Sequence, residues 1–216
     1  MHAMTTNRIL AQAAVATALA LLPASCSIFN RESPQGANFM LAAHDAAAQQ
    51  GASLGTIVVG RYSAMPPFDG RMFLYRMPDG TWRTDPYNGF IADPADMLCD
   101  LTARAFEQSG RFMTVVVEGA VVAVDLAAEG VIEQLYADYS DRANPVAVVR
   151  LRMYFVDRRS MRSALVSQAV ADGRAPIAGD GAAAVADALG VAVGAALAKV
   201  AEQLPAELPV RANPAK

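Results

Sequence analysis

Thr56-Ile57-Val58-Val59-Gly60-Arg61-Tyr62, then Pro66-Pro67, Phe68-Asp69-Gly70-Arg71 and Met72-Phe73-Leu74-Tyr75-Arg76, is the stretch on which the fold turns. Its first segment is rich in β-branched residues, which predicts a strand buried on both faces. The two prolines cannot donate to a ladder and must end it. The Asp-Gly step then turns the chain into a further strand over 72–76, whose exit Pro78-Asp79-Gly80 is a polar turn leading to Thr81-Trp82-Arg83. Upstream, Asn38-Phe39-Met40-Leu41-Ala42 reads as a first, short apolar strand.

Downstream, Asp93 is placed to cap a helix whose first turn takes Pro94, and Met97, Leu98, Leu101, Ala105 and Phe106 recur at helical spacing up to Gly110. Phe112 to Val117 is again a strand. Between Val131 and Tyr139, period alone fits either a bulged strand or a short helix; tyrosines and β-branched residues favour the strand. Ala147 to Val156 alternates, with Arg150, Arg152 and Tyr154 on one side and Leu151, Met153 and Phe155 on the other. Ser163 to Val170 pairs with it through Arg158-Arg159-Ser160 as a hairpin with one wet face, and 175–179 reads as a loop. Val185, Leu189, Val193, Leu197, Val200 and Leu204 then mark a long helix ended by Pro205. Many strands with two helices predict a single α/β domain, a mixed sheet covered by helices.

The N-terminal part carries a different signal. One basic side chain, Arg8, precedes an apolar run from Ile9 to Leu22 and the small residues Ala24-Ser25 before Cys26. This is the layout of an export signal, and about fifteen apolar residues fall short of the roughly twenty that span a bilayer. Small residues followed at once by cysteine resemble a bacterial lipobox, with Pro23 departing from the usual Leu or Val. Cys26 is then the lipidation site and the first residue of the mature protein. The alternative is ordinary cleavage that leaves Cys26 as a thiol near the cut. Ser27 follows, with no aspartate to hold the product at the inner membrane, so the resemblance implies the periplasmic face of the outer membrane. The expected organisation is a signal peptide over 1–25, a polar tether over 26–37, a domain over 38–204 and a tail over 205–216.

The chain of 216 residues has 18 Lys plus Arg against 21 Asp plus Glu. That balance does not indicate nucleic acid as a partner. Two cysteines, one of them Cys26, leave Cys99 without a disulfide partner; Met97, Leu98 and Leu101 around it favour a buried inert thiol over a nucleophile. Two histidines are present, and His2 would leave with the signal, so His44 would be the one imidazole of the mature chain. Beside Asp45 it reads as a loop residue, with no nucleophile elbow to complete a triad. No phosphate loop, metal-ligand spacing or cofactor motif is present, and Asp93 with Asp96 stand where a helix start favours negative charge. The sequence therefore predicts no enzyme, no catalytic residue, no metal and no cofactor. Arg150, Arg152, Arg158, Arg159 and Arg162 make one hairpin basic; it reads as a solvated face or, alternatively, a surface for anionic lipid heads or an acidic partner.

Taken together, the lipobox, the tether, Thr56 to Tyr62, Pro66-Pro67, Phe68-Asp69-Gly70-Arg71, the strand ending in Tyr75-Arg76, Trp82 and the Asp93–Gly110 helix resemble the ABC-type transport auxiliary lipoprotein family. The resemblance covers about residues 38 to 200; Gly70 and the alanine-rich first loop depart from its commonest pattern. It implies a three-layer α/β/α sandwich with a mixed β-sheet, like the amino-terminal domain of TolB. It also implies a non-enzymatic outer-membrane lipoprotein accompanying an MCE-domain protein, a permease and an ATPase that move lipids between membranes. Only Cys26 carries over as a site. A lipid-binding carrier, a periplasmic hydrolase and a homo-oligomer are the further possibilities that the sequence leaves open.

Overall fold

The computed structural model describes residues 36–43, 51–160 and 163–208. From Gly36 onward the chain forms one compact unit. Cys26, His44 and Arg162 lie outside the described residues.

Strand β7 (Leu126–Asp138) is the spine of a nine-stranded mixed sheet. It pairs antiparallel along its whole length with β8 (Val146–Asp157), which pairs antiparallel with β9 (Ala164–Pro176). Along its other edge, three strands dock in succession and in parallel. These are β2 (Thr56–Val59) against Leu126–Ala128, β3 (Ser63–Ala64) against Val131–Ile132, and β4 (Met72–Arg76) against Ala137–Asp138. Beyond β4 lie β5 (Trp82–Phe90), antiparallel, and β1 (Asn38–Phe39), parallel to β5. Beyond β2 lies β6 (Thr114–Val117), parallel.

The segment between Val131 and Tyr139 is strand, as its composition favours, and it bulges between Ile132 and Gln134. Alternation in β8 is as expected, with Leu151, Met153 and Phe155 fully buried and Arg150, Arg152 and Tyr154 half-buried. Two expectations are corrected, in β2 and β9, and β5 extends beyond the segment 81–83 to which the sequence reading led. In β2 only Ile57 and Val59 are buried; Thr56 and Val58 are half-buried, and Val58 lines a cleft. β5 does not stop at Arg83. It runs through Pro86 to Phe90, because Asp85 accepts the N–H groups of Tyr87 (2.9 Å) and Asn88 (3.0 Å) and closes a bulge opposite the Met72–Leu74 register shift. β9 continues through Gly173 to Pro176, past the expected end at Val170.

Helix α1 (Pro94–Ser109) starts where Asp93 Oδ1 accepts the Ala95 N–H at 2.9 Å and ends at Gly110 in the left-handed conformation. Helix α2 (Gly181–Glu202) is long and apolar enough to cross a membrane by length and composition, yet Val185, Leu189, Val193, Leu197 and Val200 are buried against the sheet. Alanine and glycine let its backbone approach closely: a Cβ on Gly173 of β9 would stand 1.8 Å from the Ala192 carbonyl oxygen.

The mixed α/β class, the mixed sheet, the two helices and the single domain are those expected. Gly173 pairs with Val149, and Phe155, on the same side of β8, has its ring 6.1 Å from that of Phe106 in α1. Both helices therefore cover one face, where the resemblance implies a three-layer α/β/α sandwich with helices on both. No helix lies on the opposite face among the described residues; it carries the β8 arginines and the ring cluster Phe68, Trp82 and Tyr136, with Trp82 and Tyr136 4.8 Å apart.

Candidate functional site

Of the sequence-predicted residues, Asp93, Asp96, Cys99 and the arginine group other than Arg162 fall within the described part. Cys99 sits half-buried on α1, its thiol donating to the Val59 carbonyl at 3.7 Å. It lines an open cleft of about 420 Å³ with Arg61, Asp96, Asp100, Glu118 and Gly119, at the carboxyl ends of β2 and β6. Burial pushes its pKa up, and Asp100, Glu118 and Asp96 push it further. A nucleophilic thiol requires the reverse, a cationic environment that favours the thiolate. The inert reading of this residue is the one the surroundings support.

Three of the acids at or near this cleft are engaged structurally. Asp96 pairs with Arg61 at 3.7 Å, and Glu118 accepts the Arg61 N–H at 3.3 Å. Asp93 is occupied as the helix cap. Among the described residues, no group of three His, Cys, Asp or Glu side chains is arranged to hold a metal.

The basic hairpin is largely neutralised. Glu133 takes Arg150 at 3.1 Å and Arg152 at 2.6 Å, Arg150 also reaches Asp172 at 3.5 Å, Arg158 pairs with Glu129 at 3.2 Å, and Arg159 with Asp157 at 2.6 Å. These pairs, all but Arg159–Asp157 reaching between strands or strand ends and mostly part-exposed, set register on a wet sheet face and leave little field to attract an anionic surface. Beside them an open cleft of about 370 Å³ runs from Val58 and Gly60 to Tyr154 and Arg158.

Sequence reasoning missed several interior polar contacts. The Tyr62 hydroxyl and Thr102 Oγ1 are 2.7 Å apart in the core; burial raises the phenol pKa, the Thr102 bond partly offsets this, and the tyrosine stays neutral. Buried Arg111 donates to the carbonyls of Ala52 (3.2 Å), Pro205 (2.9 Å) and Ala206 (3.1 Å), tying the chain after α2 to the start of β6. Asp125 accepts the Thr56 N–H at 2.9 Å and positions β2. Nothing local marks these residues, because each partner is far away in sequence.

Two exposed apolar groups were also unforeseen. Met40, Tyr87 and Ile91 lie along the β1–β5 edge, and Met113, Val117, Val121 and Val122 along the β6 edge. The space between helices and sheet is filled by Leu54, Ile57, Phe73, Leu98, Phe106, Leu126, Leu151 and Phe155.

No family model matches the chain, and no curated protein matches it. Solved structures do. Protein XCC0632 from Xanthomonas campestris, described under the family model DUF330, superposes with a TM-score of 0.63 at 20% identity, over 75% of this chain and 91% of that one. A second, uncharacterized protein gives a TM-score of 0.57 at 12% identity, over 74% of this chain and 97% of that one. At these identities the likeness is one of fold: the chain has the mixed α/β fold of these proteins.

Proposed function

We propose that the protein is a lipid-anchored periplasmic component of an MCE-type ABC transport system that moves lipids between the inner and outer membranes, and that it acts as a docking subunit without catalysis. Cys26 holds the acyl chains, residues 27–35 reach from the membrane to the domain, and a surface of the domain receives the end of the lipid-conducting assembly. The observation that carries the reading is the fold. The likeness to the DUF330 protein spans nine-tenths of that chain and agrees with the mixed α/β class, mixed sheet and two helices that the sequence resemblance implies. The state of the polar groups agrees with a structural role: Asp93 caps α1, Asp96 pairs with Arg61, and burial with nearby acids pushes the thiol pKa up.

A carrier that takes lipid between helices and sheet is disfavoured because that space is occupied by large side chains. Affinity purification of the full-length protein from detergent-solubilised envelopes tests the reading. An MCE-domain protein should be recovered with it, and recovery should fail when the envelope lacks the permease operon. Purification that repeatedly brings down no MCE-domain protein contradicts the docking role.

A further inference from the structure

We propose that the β1–β5 edge, where the chain arriving from Cys26 enters the domain, is a membrane-contact face that rests on the phospholipid surface through Met40, Tyr87 and Ile91. The inference rests on the reading of Cys26 as the anchor and adds the orientation in which the domain is held.

The parallel register Asn38↔Gly89 and Phe39↔Phe90 continues to the next level, where the Ile91 N–H donates to the Phe39 carbonyl at 2.9 Å. Met40 and Ile91 therefore stand next to each other. Phe39 and Phe90 turn to the core around Phe73, and alternation sends Met40 and Ile91 outward. Met40 is 65% and Ile91 51% exposed, and Tyr87, 49% exposed, projects from the bulge that Asp85 ties down. Two large aliphatic side chains beside an exposed tyrosine suit a bilayer interface, where an amphipathic ring sits at headgroup level. The Arg71 guanidinium, bonded to the Phe90 and Ile91 carbonyls, brings a positive charge to the same corner.

The length of chain outside the described residues identifies the occupant. Gly36 lies against the Tyr87 carbonyl, and the Ala37 N–H donates to Asn88 at 3.1 Å, so the chain enters at this edge. From Cys26 to Gly36 it spans at most about 35 Å, which holds this corner, rather than the opposite β6 edge, nearest the acyl chains.

The test places a tryptophan at each edge. The mature chain, residues 26–216, carrying Cys99→Ala and Trp82→Phe, is coupled through Cys26 to a maleimide phospholipid in phosphatidylethanolamine–phosphatidylglycerol vesicles containing brominated acyl chains. Anchoring is thereby imposed. The tryptophan of Tyr87→Trp should be quenched and that of Val121→Trp should not, and Met40→Ser with Ile91→Ser should abolish the quenching while circular dichroism stays unchanged. Absence of quenching at position 87, or stronger quenching at position 121, overturns the proposal. If native Cys26 carries no lipid, the mass of the cell-derived protein shows it independently of this result.

Discussion

Asp138 shows how this domain handles a buried charge. Burial pulls its carboxyl pKa upward, but the Ser140 hydroxyl and N–H and the charges of Arg76 and Arg174 outweigh this and leave it below the usual range. A depressed pKa means that the unfolded chain takes up the proton first. The stabilisation is complete above the ordinary aspartate value, about pH 4, and is lost as pH falls through the lowered folded value. Asp138→Asn should cost about 1–3 kcal/mol at pH 7, by loss of charge-assisted hydrogen bonds, and should flatten the acid limb of stability. Urea midpoints between pH 7 and pH 3 check both effects. Gly130 shows the opposite sensitivity: a Cβ there would stand 2.2 Å from the Tyr62 ring, which is fixed at its far end by Thr102. Gly130→Ala should therefore destabilise by about 1–3 kcal/mol through overpacking, read as a lowered denaturation midpoint.

At the scale of elements, the two long edges of the sheet are treated differently. The outer edge of β9 is plugged by α2: the Val170 N–H donates to Gln203 Oε1 at 3.3 Å, Gln203 Nε2 donates to the Val170 carbonyl at 3.2 Å, and Lys199 Nζ donates to the Asp172 carbonyl at 2.6 Å. The glutamine amide thus takes the place of a neighbouring peptide group, a guard against edge-to-edge pairing. Gln203→Ala should cost about 0.5–1.5 kcal/mol and raise self-association on mild heating, measured by light scattering. Strands whose signal is local were legible in the sequence. Met72–Arg76 has its expected bounds, and the Asp93 cap and Gly110 stop frame α1 as read. β5 was legible only at its start, because Asp85 and Pro86 build a bulge against β4 that no local pattern announces. The order of β2, β3 and β4 along β7 was not legible at all, since period shows which residues face inward but not which strand lies beside which.

For the whole molecule, the most local motif and the most distributed feature give complementary parts of the account. The lipobox reading of Cys26 rests on a contiguous motif, whereas the Met40–Tyr87–Ile91 edge exists only once β1 pairs with β5. The alanine-rich 182–198 run, plain as composition, acquires its reason from close packing of α2 on Gly173 and, at Gly190, on the Ala42 carbonyl. On the reading of Cys26 as the lipidated residue, Cys26→Ala should leave the cooperative unfolding of the domain unchanged and release the protein from the membrane fraction, because position 26 precedes the compact unit that begins at Gly36. Intact-mass spectrometry of the protein extracted from envelopes tests the central claim most directly. The account predicts a chain lacking residues 1–25 with acyl chains on Cys26. A chain that retains those residues, or that begins elsewhere with an unmodified Cys26 thiol, would contradict it.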